Sequence, residues 1–206
     1  MAGRCLDPRG LRGRHRLVIP RGGVASVPSR RLAAAGLIGG LLWVALKFAP
    51  IDGNSEVFWS RLWAPLLVLM ALGFLGLRRS MGVAGARAAR IGLALLVGGL
   101  LIMALGNVAE YWAFVDQRHG ELNPRNFSWL GLLLGLLVGS IGATVAGIAM
   151  LRRHAAPAWV SGPLAFLLVA IVAVGALDQS WSGVPLGVSA VASGIFGLRI
   201  TGRGDL

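Results

Sequence analysis

The chain has 206 residues, of which 56% are hydrophobic and only 14% are charged. Soluble domains usually carry about 25% charged residues, and here the apolar residues form long uninterrupted blocks. A net charge of +12 would suggest nucleic acid in a soluble protein. The arginines instead flank the apolar blocks, so no nucleic-acid partner is expected. The composition indicates a membrane protein, and Cys5, as the single cysteine, excludes an intramolecular disulfide.

The apolar blocks predict an all-α bundle of about six transmembrane helices. Residues 1–31 form a basic tail with eight arginines, interrupted by glycines and prolines, which we expect to be largely disordered. Blocks of roughly the length that crosses the hydrocarbon core as a helix follow this tail. They cover residues 32–49, 62–77, 91–115, 128–151, 158–177 and 184–200, before a short tail at 201–206. The sixth block is the least hydrophobic because it contains Pro185 and several glycines and serines.

Arginine is distributed unevenly between the two sides that this topology creates. The N-terminal tail, the connections at 78–90 and 151–157, and the C-terminal stretch contain sixteen arginines but only Asp7 and Asp205 as acidic residues. The other three connections hold the remaining six acidic residues and three arginines. Because short cytoplasmic loops retain Lys and Arg, both termini are predicted to be cytoplasmic. Lys47 is the only lysine, a bias typical of a GC-rich bacterial genome, so we expect a bacterial inner membrane protein.

Tryptophan is concentrated on the predicted outer side. Such residues commonly anchor a helix at the level of the lipid headgroups. Five lie at predicted outer helix ends: Trp59, Trp63, Trp112, Trp129 and Trp181. Trp159 lies at an inner end, and Trp43 lies within the first helix. The favoured interpretation is anchoring; a functional outer surface is the alternative.

Glycines at every fourth position mark one face of the fourth predicted helix. Gly131, Gly135 and Gly139 would allow a neighbouring helix backbone to approach closely. The chain contains 31 glycines, so such spacing also arises readily by chance. We favour packing within one bundle; an oligomer interface is the alternative.

Residues with reactive side chains are few and lie on the predicted outer side. Glu110 is interpreted as a hydrated carboxylate at the end of the third helix, with Asn107 bonding across helices. Asp116, His119 and Glu121 in the following connection are weak candidates for metal ligands. Glu110 and His119 are also weak candidates for catalytic residues. Their spacing matches no metal motif, so no metal, cofactor or catalytic site is predicted.

Three functions are compatible with this pattern. A non-catalytic scaffold, assembly or regulatory subunit is favoured, because the predicted spans are uncharged at their centres and rich in Gly and Ala. A small transporter or channel is the first alternative, although ion coupling normally needs an ionisable group inside a span. The second is a membrane enzyme acting on a lipid or lipid-linked substrate at the outer face. Expected partners are the bilayer, anionic lipids at the N-terminal arginines, and other membrane proteins or a second copy of the chain.

The predicted topology can be tested with reporter fusions. A reporter fused after Leu206 is expected to be cytoplasmic, because Arg199 and Arg203 follow the last span. The matched fusion after Asp178, before that span, is expected to be extracytoplasmic. An extracytoplasmic reporter at Leu206 would remove the sixth span from the topology.

Overall fold

The computed structural model describes residues 27–48, 56–81, 87–113, 124–178 and 181–202, which are almost entirely helical, with no β-strand among them. This confirms the predicted all-α fold. The elements are α1 (Val27–Ala45), a 3-10 turn (Leu46–Phe48), α2 (Glu56–Arg61), α3 (Trp63–Ser80), α4 (Arg87–Val108), a π-helical turn (Ala109–Ala113), α5 (Pro124–Arg153), α6 (Ala158–Ala165), α7 (Leu167–Leu177) and α8 (Val184–Gly202). Most of the predicted basic tail, residues 1–26, lies outside the described residues.

Four stretches of helix are long and apolar enough to cross a membrane. They are Arg30–Phe48, Phe58–Ser80, Arg87–Ala113 and Trp129–Arg153. The bent pair of α6 and α7 adds a fifth if it is counted as one span, and the apolar part of α8, Val184–Ile200, is shorter. The chain is therefore an all-α membrane protein with four or five spans by length and composition. The predicted count of about six depends on α8.

The helices form a closed ring. α1 packs between α3 and α8, α4 packs between α3 and α5, and α6 and α7 connect α5 to α8. The end where α1, α4 and α6 begin is called the basic end here, and there the Arg78 guanidinium donates a hydrogen bond from Nε to the Arg90 carbonyl (3.2 Å). The opposite end, called the aromatic end, contains Trp59, Trp63, Trp112, Trp129 and Trp181. The ring thus has two chemically different ends.

Glycines allow α4 and α5 to pack backbone to backbone. A Cβ atom added at Gly135 would lie 2.5 Å from the Gly99 carbonyl oxygen, and one added at Gly142 would lie 2.6 Å from the Gly92 carbonyl oxygen. Any larger residue would force these helices apart. In lipid this close approach matters, because dispersion contacts between helices replace the hydrophobic effect as the source of stability.

The three glycines predicted to pack differ in how tightly they do so. Gly135 lies against the backbone of α4, as described above. A Cβ at Gly131 would lie 3.4 Å from the Gly106 Cα, and a Cβ at Gly139 would lie 3.7 Å from the Gly99 Cα. Both of these are ordinary van der Waals distances. All three glycines therefore face α4 of the same chain, and Gly135 is the position at which a side chain is least tolerable.

Glycines also join α1 to its two neighbours. A Cβ at Gly36 would lie 2.5 Å from the Gly73 Cα on α3, and a Cβ at Gly40 would lie 2.7 Å from the Gly187 carbonyl oxygen on α8. The first helix is thus fitted between two others and is an integral part of the ring.

The fifth predicted span is broken instead of continuous. α6 and α7 meet at Phe166 with a bend of 61°. Pro163 lies inside α6, three residues before the bend, and has no backbone donor for the Trp159 carbonyl. The backbone stays bonded across the bend: the Phe166 N–H donates to Gly162 (3.1 Å), and its carbonyl accepts from the Ala170 N–H (2.8 Å). The sequence placed Pro163 near a helix start, where such a bend was not expected.

Two adjacent glycines on α4 provide a matched test of this packing. Gly99→Ala is expected to lower the free energy of unfolding by about 1–3 kcal/mol, since the new methyl meets the α5 backbone at Gly139. Gly98→Ala meets nothing within 4 Å and is expected to be neutral or slightly stabilising, because Ala favours the helix. Thermal unfolding in mild detergent measures both. Equal stability of the two variants would contradict backbone packing between α4 and α5.

Candidate functional site

A cavity of about 690 Å³ lies at the aromatic end, inside the ring of helices. Every helix that contributes a predicted span supplies part of its lining. The mouth of the cavity, formed by residues at the ends of the spans, contains Lys47, Trp63, Glu110, Tyr111, Trp129 and Ser182. The cavity therefore brings charged and polar side chains from several helices together at the aromatic end.

The floor of the cavity is apolar. It consists of Leu67, Met103, Leu132, Leu136, Ile171 and Leu186. At a helical rise of about 1.5 Å per residue, Met103 lies roughly 10 Å deeper than Glu110 on the same helix. Polar and apolar surfaces are thus separated along the depth of the cavity.

Fully buried side chains close the cavity below its floor. α3 places Met70 and Phe74 there, and α4 contributes Leu96 and Leu100; all four are at most 1% exposed. The ring is therefore filled with side chains toward the basic end. The cavity opens at the aromatic end and stops partway through the bundle.

Lys47 lies beside two tryptophan rings at the mouth. Its ammonium nitrogen is 5.9 Å from the centroid of the Trp43 ring and 5.5 Å from that of Trp63, within the range of cation–π attraction. The two rings are themselves 5.8 Å apart. Trp43 donates a hydrogen bond from Nε1 to the Gly183 carbonyl (2.9 Å), which joins α1 to the segment preceding α8. The position of the ammonium group is therefore set by rings that the fold holds in place.

Glu110 lies on the π-helical turn and is only 5% exposed. The sequence interpretation placed it at a hydrated helix end, whereas the structure buries it against the cavity. A π turn adds a residue to the helical repeat and rotates the side chains that follow it. The Tyr111 carbonyl on this turn accepts a hydrogen bond from Arg61 Nε (2.8 Å), and the Arg61 guanidinium lies 5.5 Å from the centroid of the Trp112 ring. The turn is thus tied to the α2–α3 junction.

Asn107 is fully buried and inserts its carboxamide into the break between α2 and α3. Its Oδ1 accepts from the Ala64 N–H (3.1 Å), and its Nδ2 donates to the Ser60 carbonyl (3.1 Å). These two backbone groups would bond each other in a continuous helix. Pro65 lacks a backbone donor, and its ring crowds the Arg61 carbonyl, which favours a break here. Asn107 therefore takes the place of the missing helical hydrogen bond, as a side chain can when it enters a helix.

The structure assembles only part of the predicted set of reactive residues. Glu110 lines the cavity, but Asp116, His119 and Glu121 lie outside the described residues. Within the described part of the chain, no group of three or more His, Cys, Asp or Glu side chains could hold a metal ion. Gly131, Gly135 and Gly139 pack against α4 and take no part in the cavity.

The sequence interpretation missed the role of Lys47, which it treated as a terminal residue. Trp43 and Lys47 are four residues apart, a spacing that places two side chains on one helix face. The partners of the α5 glycines were also missed. Gly92, Gly99 and Gly106 recur every seven residues on α4, and this repeat was the available signal.

No protein-family model, curated protein or solved structure matches the chain. The chemistry and geometry of the cavity are therefore the observations that bear on function.

Removing the inserted carboxamide tests its role. Asn107→Ala leaves the Ser60 carbonyl and the Ala64 N–H without their partner, so it is expected to cost at least about 1 kcal/mol of unfolding free energy. Ser140→Ala is the matched control, since Ser140 is also buried but its hydroxyl has no hydrogen-bond partner among the described residues. Thermal unfolding followed by circular dichroism compares them. If both variants unfold alike, the carboxamide does not support the junction.

Proposed function

We propose that the protein is a non-catalytic membrane subunit whose activity is to bind an amphipathic molecule in the cavity at its aromatic end. The observation that carries this proposal is the division of a one-ended cavity into a polar mouth and an apolar floor. An amphipathic molecule has the same division, so it would satisfy both surfaces at once.

The size and chemistry of the cavity support this function. Sites for small molecules are usually about 300–1,000 Å³ and mainly apolar, with a few polar groups that fix orientation. The cavity, at about 690 Å³, lies within that range. Lys47 and Glu110 provide charged groups of both signs at the mouth, where the membrane interface makes ionised groups less costly than at the bilayer centre.

The alternative of transport receives less support. A conduit needs a path that reaches both ends of the bundle, whereas Met70 and Phe74 are fully buried beneath the cavity. The ionisable side chains that line the cavity, Lys47, Glu110 and Tyr111, all lie at its mouth. Ion coupling normally uses an ionisable group within the span.

A membrane enzyme is the second candidate, because Glu110 is a buried carboxylate beside Tyr111 on a cavity that would admit a lipid-linked substrate. A carboxylate in such a position can act as a general acid or base. The two proposals differ in the fate of the bound molecule. A binding subunit returns it unchanged, and an enzyme returns a product of different mass.

The orientation proposed from the arginine distribution places the cavity on the extracytoplasmic side of a bacterial inner membrane. The basic end then faces the cytoplasm, where the arginines of the N-terminal tail would contact anionic lipids. A regulatory or assembly subunit in this orientation would couple occupancy of the cavity to a partner protein in the same membrane.

Two neighbouring leucines on α5 provide a matched test. Leu136 lines the cavity, whereas Leu137 is 53% exposed on the outside of the bundle. Leu136→Trp is expected to fill the cavity and abolish retention of a bound molecule, and Leu137→Trp is expected to retain it. Native mass spectrometry of the full chain, purified in mild detergent after incubation with membrane lipid extract, measures the retained mass.

Each outcome of this experiment bears on the proposal. Retention by wild type and Leu137→Trp but not by Leu136→Trp supports binding in the cavity. An absence of any retained molecule in wild type, or equal retention by all three proteins, overturns it. Release of a molecule whose mass has changed during incubation supports the enzyme instead.

A further inference from the structure

The mouth of the cavity has one basic side chain among its lining residues, that of Lys47. An ammonium group offers three hydrogen-bond donors. The faces of Trp43 and Trp63 attract its charge, but they supply no strong acceptor atom. An anionic group with several oxygens would accept these donors and would lie at the level where the spans end.

The wall of the cavity formed by α5 and α7 is lined by aromatic and apolar side chains. α7 buries only two of its eleven residues, one of which, Ile171, lines the cavity. On α5, Trp129 and Leu133 line the cavity and are 47% and 48% exposed. An acyl chain in the cavity would therefore lie against apolar side chains of both helices.

We infer that the ligand is a phospholipid, whose phosphate is held by the Lys47 ammonium group beside the Trp43 and Trp63 rings and whose acyl chains lie along the apolar floor. This inference rests on the proposed function and adds the class of molecule and its orientation. Phosphate supplies the several oxygens that the ammonium group can bind. A charge-assisted hydrogen bond of this kind is among the stronger polar contacts in proteins.

Two lipids with identical acyl chains distinguish the contribution of the headgroup to binding from that of the chains. Phosphatidylglycerol carries a phosphate, and diglucosyl diacylglycerol does not. Native mass spectrometry of the full chain titrated with each lipid measures their affinities. Lys47→Gln is expected to weaken phosphatidylglycerol binding by about tenfold, as expected for the loss of one charge-assisted contact, and to leave glycolipid binding unchanged.

Three controls accompany this variant. Lys47→Arg keeps the charge and is expected to restore most of the affinity for phosphatidylglycerol. Arg153→Gln removes an exposed cation at the basic end and is expected to have no effect on either lipid at the cavity. Soluble glycerol phosphate, which has the phosphate but no acyl chain, is expected not to displace the lipid at equal concentration.

The outcomes distinguish this inference from the proposed function. If Lys47→Gln binds phosphatidylglycerol as tightly as wild type while Leu136→Trp abolishes binding, the phosphate contact is wrong and the binding function stands. Displacement by glycerol phosphate at equal concentration overturns the phospholipid in favour of a free phosphate. If wild type binds neither lipid and retains nothing from membrane extract, the inference and the proposed function both fail.

Discussion

Backbone polar groups inside a membrane must find their hydrogen-bond partners within the protein, because lipid offers none. Three departures from straight α-helix in the bundle meet this requirement. Asn107 bonds the groups left open between α2 and α3. Arg61 bonds the Tyr111 carbonyl of the π turn, and Phe166 keeps the backbone bonded through the bend between α6 and α7. Each interruption is placed where an internal partner is available.

The helices pack differently in the two halves of the bundle. Toward the basic end, glycines bring α4 and α5 into backbone contact and large apolar side chains fill the interior. Association of helices in lipid depends on such dispersion contacts, since burying an apolar side chain from lipid gains little. Toward the aromatic end, α4 and α5 pack less closely at Gly106 and Gly131, and the cavity lies among the helices. The tightly packed half thus holds the ring together while the other half leaves space for a ligand.

The tryptophans at the mouth combine anchoring with construction of the site. Trp43 bonds the Gly183 carbonyl and so fixes the start of α8 against α1. The same ring forms a wall of the cavity and attracts the Lys47 ammonium. The sequence interpretation treated these rings mainly as anchors at the interface. The structure adds that the Trp43 and Trp63 rings lie beside the Lys47 ammonium group at the mouth and attract its charge. A ring on the outer surface of the bundle would not have this role.

The membrane class and the helical fold could be read from the sequence, because apolar length is a local property that adds up along each helix. The presence of Lys47 and Glu110 in one cavity could not be predicted, because it depends on which helices are neighbours in the ring. Spacing along the chain shows which face of a helix a residue occupies, but only packing between helices decides what that face meets. The sequence alone therefore determined a bundle with one basic and one aromatic end, and the tertiary structure alone placed a cavity at the aromatic end.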